Sequence, residues 1–352
     1  MNIAIIGAGG SVGRVIAQMI VSERLLQCNQ RLILVGNPEG SSARSLYGFA
    51  VDLMDAYAEI CPEIDVILSP DKIRGDLIIM AGGSTIPIGK DQDLMTRDSL
   101  AEHNAPVFKQ YASALAKHGH GSEIVLCISN PNELCVAIFA KHLGRKRVIG
   151  MGAFLDSLRF RKEIALDLGI RRQQIHGFIG GEHGLNLVPF WSSVHIYGYH
   201  QQELDRAIKK IRKGYQTSHL HEDVRKIGNQ LREMVLDGRV RKAYEMIDRY
   251  PPDIRVAMKP FITHSSGSKT VMGTARATME LIRTITLGSD TLISGQIVLE
   301  GEFYGINSTI GVPFVIGNRG AERVIEISIS EEEKSLLIQN AQNVQKKIDP
   351  FL

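Results

Sequence analysis

The chain has 352 residues, a formal net charge of +3, and 44% hydrophobic and 22% charged residues. That balance excludes a surface built for nucleic acid, and the length exceeds what one hydrophobic core organises, so two domains are expected. No apolar run reaches spanning length, no signal peptide precedes the first strand, and Cys28, Cys61, Cys127 and Cys135 lack metal-ligand spacing. The expectation is a cytoplasmic protein with reduced core thiols and no membrane partner.

Asn2 to Ile6 forms a short apolar run, as in a strand covered on both faces of a parallel sheet. It enters Gly7-Ala8-Gly9-Gly10-Ser11-Val12-Gly13. Glycines at 7, 10 and 13 let the backbone turn tightly and approach a pyrophosphate, while the next helix aims its N-terminus, at Ser11 and Val12, at the negative charge. Val12, Ile16, Met19 and Ile20 supply that helix with a buried stripe. Strand, turn and helix together predict dinucleotide binding.

A second strand, Arg31 to Val35, should end in the carboxylate that takes the adenosine ribose hydroxyls. It ends in Gly36-Asn37, and Ser41, Ser42 and Arg44 follow. Hydroxyls and a guanidinium suit a 2′-phosphate, whereas Asn37 or Glu39 could serve an unmodified ribose, so the cofactor is NAD or NADP. Further buried strands, Leu77 to Met80 and Ile124 to Ile128, run into Ala81-Gly82-Gly83 and Ser129-Asn130-Pro131-Asn132. Both tips fall at carboxyl ends of parallel strands, where open α/β sheets bind ligands. Asn130 would present its amide to the substrate or the nicotinamide ribose.

Gly152 to Arg161 reads as helix, and a spacing of three puts Asp156 and Arg159 on one face. Gly181-Glu182-His183-Gly184 follows. A carboxylate beside an imidazole favours its protonated form and fixes its tautomer, and a guanidinium grips a substrate carboxylate through two parallel hydrogen bonds. The alternative is a surface Asp-Arg pair and an unrelated loop histidine.

From Gln201 to about Tyr250 the pattern is helical, with Leu204, Ile208 and Ile211 opposite Lys209, Lys210, Arg212 and Lys213. The segment reads either as a helical cap on the site or as an elongated surface helix pair. Val271, Ala275, Met279 and Ile282 form another helical stripe, and Ile293 to Phe303 and Val324 to Ile329 read as antiparallel strands. Ser330 and Glu333 form a capping box for a last helix that faces Leu337, Ala341, Val344 and Ile348 inward.

In this order the glycine turn, Ser129-Asn130-Pro131, Leu155-Asp156-Ser157-Leu158-Arg159-Phe160-Arg161 and Gly181-Glu182-His183-Gly184 resemble the lactate/malate dehydrogenase family. Val312-Pro313 through Gly317 and Gly320 to Glu333 are similar to its C-terminal end. The resemblance implies an α/β fold, with an N-terminal Rossmann doubly wound parallel sheet over 1–150. An α+β catalytic domain over 151–352 follows, carrying an insertion around 201–256. It further implies a homodimer or homotetramer that exchanges a hydride between a nicotinamide cofactor and a 2-hydroxy or 2-oxo acid.

By position, the resemblance implies that His183 donates and accepts the proton, Asp156 orients it, and Arg159 clamps the substrate's C1 carboxylate. Arg97, in Met95-Thr96-Arg97-Asp98, matches a loop arginine that polarises the carbonyl. Ser268 falls at the substrate, Met272 near the nicotinamide, and Asn104 joins Ala81, Gly82, Gly83 and Ser129 against the cofactor. The loop from Gly83 to Leu94 is longer than the family pattern. Thr85 and Asp91 stand where malate enzymes place an arginine and lactate enzymes a glutamine, so Lys90, Arg255 and Lys269 become candidate substrate cations. Two other readings are a nicotinamide-dependent enzyme like the family-four glycosidases, and a nucleotide-sensing protein without catalysis.

Overall fold

The structure, a computed structural model, describes residues 1–40, 43–85 and 97–352, apart from the side chains of Arg97 and Asp98. Its first half runs β1 (Ile3–Ile6), α1 (Ser11–Ser22), β2 (Arg31–Val35), α2 (Ala43–Ala56), β3 (Glu63–Ile67), β4 (Leu77–Met80), α3 (Arg97–His118), β5 (Ile124–Cys127), α4 (Asn132–Leu143) and β6 (Val148–Gly150). The strands pair in parallel in the order β3-β2-β1-β4-β5-β6. Growth therefore switches sides between β1 and β4, which opens a crevice at their carboxyl ends.

Why these strands lack polar alternation is visible in β1. Ile3 and Ile5 enter one core with Ile16, Ile20 and Leu46 of α1 and α2, while Ala4 and Ile6 enter another with Phe108, Leu134 and Phe139 of α3 and α4. Each such isoleucine contributes roughly 1.5–3 kcal/mol by leaving water.

The second half runs α5 (Gly152–Leu168), β7 (Ile175–His176), β8 (Ile179–Gly181), β9 (Leu187–Pro189), β10 (His195–Ile196), α6 (Gln201–Arg212), α7 (Leu220–Leu236), α8 (Val240–Ile247), α9 (Pro252–Ser265), α10 (Val271–Leu287), β11 (Thr291–Val298), β12 (Thr309–Gly317), β13 (Gly320–Val324) and α11 (Glu331–Ile348). β11 pairs antiparallel with β6 at Gln296 and Gly150, so the parallel sheet continues as β11-β12-β8-β9 with β13 on β12. A Cβ at Gly150 would lie 2.4 Å from Asn132 Oδ1, which is why the junction requires glycine.

Three expectations are corrected here. The strand expected from Val324 to Ile329 instead ends at Val324, because the Tyr304 hydroxyl takes the Ile327 carbonyl and the Ile329 N–H that a ladder would need. The strand expected to reach Phe303 stops at Val298. Cys28 is exposed in the loop after α1 and is no core thiol. The Ser330 and Glu333 capping box is present, and Leu337, Ala341, Val344 and Ile348 are buried as read.

The charged segment from residue 201 is no free-standing surface pair. Leu204, Ile211, Val224, Ile227, Leu231 and Ile247 form one core with Phe160 and Ile164 of α5 and with Trp191. Lys209 and Lys210 are exposed, but the Arg212 guanidinium lies over the Trp191 ring at 5.5 Å. Arg255 does not reach the substrate region as a cation. It is 3% exposed, donates to Asp167 at 2.8 Å and lies 3.0 Å from Glu163, because α9 turns that face onto α5. Among the described residues no helix is long and apolar enough to cross a membrane.

Candidate active site

The glycine turn fits a dinucleotide by its geometry. Gly7 has φ +83°, and a Cβ there would stand 2.6 Å from Gly82, so the tips after β1 and β4 touch backbone to backbone. A Cβ at Gly13 would meet the Gly7 carbonyl oxygen at 2.4 Å, so α1 packs against the turn only without a side chain. Gly10, the N-cap of α1, is exposed and offers no side-chain cap, which leaves the first N–H groups, at Ser11, Val12 and Gly13, to an incoming anion. Asn37 is exposed after β2, and Arg44 is exposed in the first turn of α2. Gly36 is buried, and a Cβ there would press on Leu46 and Leu68 at 3.0 and 3.1 Å.

The second tip is latched to the first. Ser129 Oγ donates to the carbonyl oxygens of Met80 and Gly82 at 3.0 and 2.7 Å. Asn104 is 0% exposed, receives Ser84 N–H and donates to the carbonyls of Ser84 and Asn130. That side chain fastens the loops that follow β4 and β5 to each other. Asn130 is exposed at the tip after β5, where its carbonyl accepts from Asn104.

Asp156, Arg159 and His183 are brought together. α5 presents Asp156 and Arg159 one turn apart, and the loop after β8 carries His183 over them. Asp156 Oδ2 lies 2.7 Å from His183 Nδ1 and also accepts Gly184 N–H at 3.3 Å, while Oδ1 accepts Arg159 Nη1–H at 3.0 Å. Asp156 is 1% exposed. Burial alone would raise its carboxyl, but the imidazole, the guanidinium and the Gly184 N–H outweigh it and hold the group below its usual range. An ionised Asp156 fixes the proton of His183 on Nδ1 and leaves Nε2 to exchange one.

The framework behind His183 was not foreseen in the sequence. Glu133 Oε1 accepts His183 N–H at 2.7 Å and Gln296 Nε2–H at 3.1 Å, and Gln296 Oε1 in turn accepts Ala153 N–H at 2.9 Å. Burial, then the nearby Glu182, push the Glu133 carboxyl up. Glu182 accepts Lys347 Nζ at 3.0 Å from α11, and Asn340 holds Glu182 N–H at 2.7 Å. The available signal was a polar residue beside an apolar run, Gln296 before Ile297 and Val298 in β11 and Glu133 before Leu134 to Ala140 in α4.

The remaining candidates scatter more widely. Met272 is 62% exposed at the start of α10, and Ser268 is exposed in the loop before it. α3 begins at Arg97, but the side chain of Arg97 lies outside the described residues, as do Ser41, Ser42, Lys90 and Asp91. A cavity of about 480 Å³ near Asp76, His120 and Arg147 lies at the opposite, amino end of the strands and touches none of these groups.

Residues 1–150 match the family model for the lactate/malate dehydrogenase NAD binding domain, and residues 248–352 match that for the lactate/malate dehydrogenase alpha/beta C-terminal domain. The chain belongs to the lactate/malate dehydrogenase family. Asp156, Arg159 and His183 fall between the two matched spans, so their grouping is a finding of the structure. Among relatives of this dehydrogenase-family chain, an L-2-hydroxycarboxylate dehydrogenase (NAD(P)(+)) of Methanocaldococcus jannaschii is 27% identical over 98% of this chain and 97% of its own length. An L-lactate dehydrogenase of Treponema denticola is 28% identical over 85% and 84%. The solved malate dehydrogenase of Cryptosporidium parvum superimposes with a TM-score of 0.74 at 22% identity, covering 100% of this chain and 99% of that one.

Proposed function

We propose that this chain is a nicotinamide-dependent dehydrogenase that interconverts a 2-hydroxy acid and its 2-oxo acid. One observation carries the reading: a single buried carboxylate, Asp156, holds both a proton carrier, His183, and a carboxylate clamp, Arg159. When bound, the nicotinamide supplies or takes the hydride. In the reducing direction Arg159 grips the C1 carboxylate with the N–H groups not spent on Asp156, and His183 Nε2 gives its proton to the carbonyl oxygen as that becomes alkoxide. Asp156 stabilises the charged imidazole through Nδ1, and Arg97 is assigned to polarise the carbonyl. In the oxidising direction Nε2 takes the proton back.

Asn37 in place of a ribose-binding carboxylate, together with the exposed Arg44, supports use of NADP as well as NAD. We divide the chain into a cofactor domain, 1–150, and a catalytic domain, 151–352. Exposed Tyr47, Val51 and Met54 share one face of α2 and support self-association as a homodimer or homotetramer. The buried thiols of Cys127 and Cys135 fit a reducing, cytoplasmic setting.

The test is loss of reduced-nicotinamide absorbance with NADH and with NADPH across a panel of 2-oxo acids. Oxidation with at least one acid is expected; tight cofactor binding with no oxidation across the panel would leave only a nucleotide-binding protein. Arg159→Lys should lower kcat/KM for carboxylate substrates about 10- to 100-fold, because an ammonium cannot form the forked pair, with NADH affinity unchanged. A lysine variant of normal efficiency would remove Arg159 from the substrate.

A further inference from the structure

His183 lies in the loop from Glu182 to Asn186, which joins the antiparallel strands β8 and β9 beyond their last pair, Gly181 and Leu187. Asp156 and Glu133 hold the middle of that loop, at Gly184 N–H and at His183 itself. Its two ends rest on a different element. Asn340, in the middle of α11, accepts Glu182 N–H at Oδ1 over 2.7 Å and donates from Nδ2 to the Asn186 carbonyl over 3.0 Å. One amide thus joins the first and last residues of the loop, as a further rung of the β8–β9 ladder would.

One partner is a donor and the other an acceptor, so an amide in this orientation serves both, whereas a carboxylate would leave the Asn186 carbonyl unpaired. Asn340 is 4% exposed, and a Cβ on Gly181 would stand 3.0 Å from its Oδ1, so the amide is pressed against the backbone that enters the loop. Two turns farther along the same face of α11, Lys347 Nζ lies 3.0 and 3.1 Å from the Glu182 carboxylate oxygens. Glu182 Oε2 in turn accepts Asn186 Nδ2–H at 2.7 Å. The last helix therefore secures both ends of the loop, and each of these contacts is made to Glu182 or Asn186 rather than to the imidazole.

We infer that Asn340 is a positioning residue for the proton carrier: by closing the loop it fixes where the His183 ring stands between Asp156 and the substrate carbonyl. The inference rests on the proposed dehydrogenase reading. Proton transfer depends steeply on the placement of donor and acceptor, and a displacement of about 1 Å can cost about 100-fold in rate. A loop opened at its ends still carries Nε2, but no longer holds it at the reacting distance.

The experiment measures kcat, KM and NADH affinity in Asn340→Ala and in Asn340→Leu, which keeps the bulk but neither bond, with whichever 2-oxo acid the parent chain reduces. In both, kcat should fall about 10- to 100-fold while KM for the acid and NADH affinity stay close to parental. Ser308→Ala, which removes the 3.1 Å hydrogen bond from Ser308 Oγ to the neighbouring Ala341 carbonyl of α11, should keep the parental kcat. In a His183→Asn chain, adding Asn340→Ala should lower the residual kcat no further, because a residue that acts through the imidazole then has nothing left to place. Parental kcat in both Asn340 variants, or an equal loss in Ser308→Ala, would overturn the inference alone. So would an undiminished loss in the His183→Asn background, or loss of cooperative melting in both Asn340 variants. Failure of the parent chain to oxidise NADH or NADPH with any acid would instead overturn the dehydrogenase reading, and the inference with it.

Discussion

His183→Asn is expected to lower kcat by about 10²- to 10⁴-fold, the range that a positioned acid-base group supplies. The asparagine amide can still donate to Asp156, but it has no second nitrogen able to give and recover a proton at the carbonyl oxygen. NADH affinity, measured by fluorescence titration, should stay close to that of the parent chain, because the glycine turn and α1 are built without His183. Near-normal turnover would remove His183 from the chemistry. The same variant should shift the acid limb of stability. Folding holds Asp156 below its unfolded value of about 3.9, so its pairing stabilises the fold above that pH and is lost as the pH falls through the depressed value. Without the imidazole the folded value rises, and acid unfolding followed by circular dichroism should begin at higher pH.

Gly152→Ala should cost about 10²-fold in kcat although nothing chemical is removed. A Cβ at this position would stand 2.5 Å from His183 Cγ and 2.6 Å from its Cβ. These atoms lie at the root of the ring, so the whole imidazole must move and its 2.7 Å contact with Asp156 cannot survive intact. Gly152 is buried and opens the first turn of α5, so the added methyl gains little helix propensity and the clash decides the sign of the stability change. Lower kcat with retained NADH binding and a single cooperative melt, destabilised by no more than the ~1–3 kcal/mol of an overpacked site, would separate misplacement of the ring from general unfolding. An alanine variant with parental kcat would show that the loop after β8 gives way freely.

Gly13 could be read from spacing because it packs against backbone a few residues away in the same turn, whereas the contact of Gly7 with Gly82 on the tip after β4 could not. Asp156 and Arg159 were legible for a similar reason, since helical geometry sets which side chains three apart converge. The second half was harder. The end of β13 depends on a hydroxyl from Tyr304, and the seat of His183 depends on Glu133 and Gln296, which stand 163 positions apart. No local pattern records such a meeting. Arg255 shows the opposite failure: an arginine after Pro251-Pro252-Asp253 looked free to serve a substrate, and only the packing of α9 on α5 shows that Glu163 and Asp167 hold it.

The pairing of Arg255 with the buried Glu163 and the more exposed Asp167 gives the helices from residue 201 a further meaning. α5 carries Asp156 and Arg159 toward the cleft and, farther along, Glu163 and Asp167 toward Arg255. Cutting out α6 to α9 would remove Arg255 and Lys259 and leave the buried Glu163 without either. Losing one partner of such a pair costs about 3–5 kcal/mol. The helices from residue 201 to 265 are thus an inseparable brace for the rod that bears the chemistry, and grafting them elsewhere, or trimming them, means redesigning that rod as well.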